Sequence, residues 1–137
     1  MNFQFSEEAE ALRDQARRFL EDKSGREKAR AIMESGASHD AALWAEIVNL
    51  GWTALRIPEE HGGLSLSVLE LCVLAEEIGR AVSPVPFTSS VLLATEALIA
   101  AGTDAQKAKW LPKLADGSAI GAVALSEGTG VPGAKSS

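Results

Sequence analysis

Reactive side chains are scarce in this sequence. Its 137 residues include one cysteine and two histidines. A single cysteine, Cys72, cannot close an intrachain disulfide, and a reducing compartment is the natural reading. The histidines, His39 and His61, have no Cys or His at metal-ligand spacing. There is also no long basic run. The net charge of −6 argues against nucleic acid as the main partner, because phosphate neutralisation needs clustered Lys and Arg. Long apolar runs are missing too. The longest, Val91 to Ala101, is too short to span a bilayer and carries Glu96. No secretory leader is visible, since Glu7, Glu8 and Glu10 precede any apolar run. We expect a cytoplasmic protein with no membrane insertion.

What is present is an ordinary globular composition, 46% hydrophobic and 23% charged. The length suits one domain with a sizeable core. The most strongly patterned stretch is Ser67 to Arg80. Ser67 and Glu70 have capping-box spacing, and Val68, Leu71, Cys72, Ala75 and Ile78 recur at helical steps. Leu69, Val73 and Leu74 add apolar surface on the other side, so this helix should be central and buried. Cys72 then reads as a small core residue rather than a nucleophile.

Before it, Ser6 should cap a helix with Ala9, Leu12, Ala16, Phe19 and Leu20 on one face, ending near Asp22. Residues 23–30 are compatible with a helix end, a loop or a connector. Asp40 should cap a second helix carrying Leu43, Trp44, Ile47 and Val48, closed by Gly51. Trp52 to Ile57 reads as extended. After the central helix, Ser83 to Pro86 forms a rigid connector. A helix should run from about Thr88–Ser90 to Ala101. Thr103 and Gln106 open another, in which Pro112 should cause a kink or short break. Ala119 to Leu125 is short, apolar and uncapped, and reads as a strand. The fold expected is all-α, an up-and-down bundle of about five or six helices with one short C-terminal β-strand.

No catalytic constellation stands out. Gly62-Gly63 lacks the following Lys-Ser or Lys-Thr of a phosphate loop. Glu76 and Glu77 are adjacent on a helix, point in different directions and cannot share a proton. One of them has the option of facing a cavity, although a solvated helix end is the commoner outcome.

Six stretches nevertheless occur in a telling order: Phe5-Ser-Glu-Glu-Ala-Glu-Ala-Leu-Arg13, Leu50-Gly-Trp52, Ile57-Pro-Glu-Glu-His-Gly-Gly-Leu64, Glu76-Glu-Ile-Gly-Arg80, Gly102-Thr-Asp-Ala-Gln-Lys107 and Trp110-Leu-Pro-Lys-Leu-Ala-Asp-Gly117. Together they resemble the N-terminal helical domain of the acyl-CoA dehydrogenases, over residues 3 to about 127. The resemblance implies a subunit with an N-terminal helical domain, a middle β-domain and a C-terminal bundle. It implies FAD as cofactor, an acyl-CoA thioester as substrate, and a homo-oligomer or a partner subunit. It also implies a catalytic glutamate in the C-terminal bundle, so that this chain alone carries no catalytic residue and is inactive. Residues 1–118 would form the helical domain, 119–127 the first strand of the middle domain and 128–137 a tail. Leu125, Ser126 and Glu127 would occupy a flavin-contacting turn, with Ser126 keeping the hydroxyl. Glu76 would lie toward the acyl pocket. The remaining alternatives are a non-catalytic binding or oligomerisation module, and a short subunit completed by a partner chain.

Overall fold

The computed structural model describes residues 5–125. Six α-helices carry the fold: α1 (Glu7–Lys23), α2 (Arg26–Ser35), α3 (Ala41–Asn49), α4 (Val68–Arg80), α5 (Glu96–Ala101) and α6 (Asp104–Ala115). A 3₁₀ turn spans Glu59–His61, and a π-helical segment, Thr88–Thr95, leads directly into α5.

Local chemistry sets the helix starts. Ser6 Oγ accepts from Ala9 N at 3.1 Å and Asp40 Oδ1 accepts from Leu43 N at 3.0 Å. Two capping boxes close as the spacing predicts. Ser67 N donates to Glu70 Oε2 at 2.9 Å, and Thr103 N donates to Gln106 Oε1 at 2.8 Å. Each side chain satisfies an amide that the first helical turn would leave without a partner. Gly51 follows α3 with φ +77°, the left-handed geometry expected of it.

The main core joins α1, α3 and α4 through Ala16, Leu20, Leu43, Trp44, Ile47, Leu71, Leu74 and Ile78. Phe19 meets Trp52 edge-on, with ring centroids 5.4 Å apart. A second cluster of Ala54, Ile57, Leu111, Leu114 and Ala115 lies under α6. Thr53 is buried beside it and donates its hydroxyl to Ala115 O at 2.7 Å.

Several expectations are corrected. The open stretch after Lys23 is helical, as α2. Trp52 to Ile57 is a chain of turns rather than an extended segment. It is braced by Leu64 N to Ala54 O, Leu66 N to Leu55 O and Ser65 N to Ile57 O, at 2.8–3.0 Å. The helix after the proline connector opens as a π-helix, with the Thr95 hydroxyl donating to Ser90 O at 2.8 Å. α6 is continuous through Pro112, and Pro112 O still accepts from Asp116 N at 3.0 Å. The expected C-terminal strand is not formed: residues 121–125 carry no regular structure, and there is no strand among the described residues. A strand needs a neighbouring strand to complete its ladder of hydrogen bonds, and the helices offer none.

Candidate functional site

The polar centre of the domain is the junction of α1 and α4. Leu71, Val73, Leu74, Glu77 and Ile78 are the buried residues of α4. Glu76 falls about a quarter-turn from Glu77 and is exposed. Glu77 is fully buried. Arg17 grips it with both ends of its guanidinium, Nη2 to Oε1 at 2.7 Å and Nε to Oε2 at 3.1 Å. Arg80 Nε donates to Oε2 at 2.8 Å, and Arg13 Nη1 stands 4.0 Å from Oε1. The chain of charges continues outward, from Arg80 to Glu21 at 3.1 Å and from Arg13 to Glu76 at 3.0 Å. Arg13 also stacks on Phe5, its guanidinium carbon 4.7 Å from the ring centre.

The electrostatics of Glu77 decide what it can do. The Arg17 hydrogen bonds are the largest influence on its carboxyl. Burial opposes them, the Arg80 bond reinforces them, and the net effect holds the group down at about 2. Such a carboxylate is ionised through the physiological range and is a poor proton acceptor. It ties α1 to α4 rather than serving as a general base. The expectation of a solvated helix end holds for Glu76 and fails for Glu77. Arg17 and Glu21 at i, i+4 on α1, facing Glu77 and Arg80 at i, i+3 on α4, were the signal of complementary stripes.

A second feature is an apolar groove of about 550 Å³ bounded by α5, α6 and the segment after Gly117. Ala94, Ala97 and Leu98 form one wall, Trp110 and Leu114 another, and residues 119–124 the third. Trp110 is its half-exposed lip, flanked by Lys109 and Lys113 with ammonium groups 4.9 and 5.3 Å from the ring centre. Glu76 does not line this groove.

Of the three residues assigned to flavin by resemblance, only Leu125 is among those described; Ser126 and Glu127 lie outside them. Leu125 is exposed, at the end of the segment after Gly117. One exposed apolar residue does not make a flavin pocket. Cys72 is exposed, contrary to the core reading. Among the described residues no group of three or more His, Cys, Asp or Glu is placed to hold a metal ion, and no helix is long and apolar enough to cross a membrane.

Comparison with known proteins agrees with this architecture. Residues 6–118 match the family described as acyl-CoA dehydrogenase, N-terminal domain. The chain is 37% identical over 120 residues to acyl-CoA dehydrogenase IpdE2 of Mycobacterium tuberculosis, covering 87% of this chain and 37% of that protein. Among solved structures, the steroid ACAD Tcur3481-Tcur3483 (G363A variant) superposes with a TM-score of 0.80 at 38% identity, over 91% of this chain and 34% of that one. An acyl-CoA dehydrogenase complexed with FAD from Bacillus anthracis superposes with a TM-score of 0.78 at 26% identity, over 90% and 21%. The chain belongs to the acyl-CoA dehydrogenase family, and what matches is its N-terminal domain. It spans little more than a third, or less, of the length of these relatives.

Proposed function

We propose that this chain is the N-terminal helical part of a flavin-dependent acyl-CoA dehydrogenase, an oxidoreductase that introduces an α,β double bond into an acyl-CoA thioester. The observation that carries this reading is the family match over residues 6–118. Residues 1–118 are the helical domain, 119–127 the entry to a middle β-domain and 128–137 a tail. FAD is the cofactor, with Leu125, Ser126 and Glu127 contributing one edge of its site. Glu76 lies toward the acyl pocket, its charge steadied by Arg13. On this reading the catalytic glutamate belongs to the C-terminal bundle, a part of the relatives that these 137 residues do not span, so the chain by itself is inactive. It works in the cytoplasm.

A second reading is favoured by the apolar groove beside the segment after Gly117. On it, the chain acts within a homo-oligomer or is completed by a partner chain, which supplies sheet structure. A wholly non-catalytic binding module is the remaining alternative.

The test is the visible spectrum of the purified chain after loading with FAD and desalting, followed by addition of an acyl-CoA. The expected result is little retained flavin and no bleaching. Flavin retained and bleached by acyl-CoA would overturn the claim of inactivity. Chain in which neither flavin nor acyl-CoA binds, even with a full-length family member present as assembly partner, would favour the non-catalytic module.

A further inference from the structure

The segment that leaves the helical domain is anchored at two points. Ala119 N donates to Lys113 O on α6 at 3.0 Å. Two residues on, Gly121 N donates to Ser90 Oγ at 3.1 Å. Ser90 is a buried hydroxyl on the π-helical segment, where the longer hydrogen-bond loop also seats Thr95 against the Ser90 carbonyl. Gly121 lies so close to that segment that a Cβ built on it would overlap the Ala94 Cβ and press on Leu114. Only a residue without a side chain fits there. Beyond Gly121, residues 122–125 have no backbone hydrogen bond among the described residues.

We propose that Ser90 and Gly121 are positioning residues that latch the outgoing segment to the π-helical turn and thereby set the direction of residues 122–125. Two anchors fix a direction, and one leaves a hinge at Ala119. Leu125 sits four residues past Gly121, a lever of about 13 Å in extended chain. A swing of about 15° at the latch moves Leu125 by roughly 3 Å on that lever. Displacements of about 1 Å already matter for reacting groups. The consequence for flavin rests on the acyl-CoA dehydrogenase reading; the latch itself does not.

The test is amide hydrogen exchange and residual dipolar couplings on the 137-residue chain. In Ser90→Ala, exchange at Gly121 should rise about tenfold, the equivalent of one net hydrogen bond. The couplings of residues 122–125 should change while those of α1 and α4 stay as they are. Ser90→Thr, which keeps the hydroxyl, should restore both. Gly121→Ala should also release the segment and raise acrylamide quenching of Trp110. Ala94→Gly combined with Gly121→Ala should reverse that effect by making room for the added methyl. Unchanged exchange and couplings in Ser90→Ala, or no rescue by the double variant, would overturn the latch. None of these measurements needs flavin, so failure of the latch and failure of the functional reading are separate results.

Discussion

Replacing Glu77 with Gln keeps the shape of the side chain and removes its charge. The carboxyl sits at about 2 in the folded protein against an ordinary 4.5. That difference corresponds to about 3 kcal/mol of stability at neutral pH. Removing one partner of a buried ion pair costs a similar amount, about 3–5 kcal/mol. The lower end applies here, because Arg17 and Arg80 are themselves half-exposed and regain water. For a chain of this length, a loss of about 3 kcal/mol lowers Tm by about 10 °C. The pH dependence follows from the lowered value. Stability from Glu77 is complete above about 4.5 and is lost as pH falls through about 2, where the wild-type carboxyl takes up its proton. The gap between wild type and Glu77→Gln should therefore be widest near neutrality and narrow steadily below pH 4.5. Urea denaturation of both proteins across that range measures it. A gap under about 0.5 kcal/mol at neutral pH, or one that does not narrow in acid, would refute the reasoning, since surface substitutions fall within that margin.

Cys72 should react with a thiol reagent in the native protein at nearly the rate seen in denaturant; reaction only on unfolding would restore the core reading. Thr53→Val should cost about 1–3 kcal/mol, because the hydroxyl bond to Ala115 O is buried and the carbonyl is left unsatisfied. Chemical denaturation measures this, and a neutral result would mean that water replaces the hydroxyl. Asp40→Ala should cost about 1 kcal/mol through loss of the α3 cap. Native-state hydrogen exchange at Leu43 should rise with it, and unchanged exchange there would count against the cap.

Much of this domain was legible residue by residue. The caps at Ser6, Asp40, Ser67 and Thr103 depend on partners two or three residues away, and the structure forms all four. The order of six short stretches was enough to identify the family. The errors lie where distant parts of the chain decide. On α4, Leu71, Leu74 and Ile78 are buried as their apolar character suggests, but Glu77 shares their buried stripe and Cys72 lies outside it. Burying Glu77 needs Arg17, which is 60 positions away in the chain.

Tertiary structure also decided the ending of the described chain. Ala119 to Leu125 has strand composition, but a strand exists only when another strand completes its hydrogen bonds. The described residues supply instead two anchors, from Lys113 and Ser90. Sequence by itself determined most of the helices, their starts and the family, because those rest on short-range hydrogen bonding and on periodic apolar faces. Tertiary structure alone decided the ionic junction, the π-helical turn and the path of the outgoing segment. Each of these depends on groups brought together only when the helices pack and water is excluded from between them.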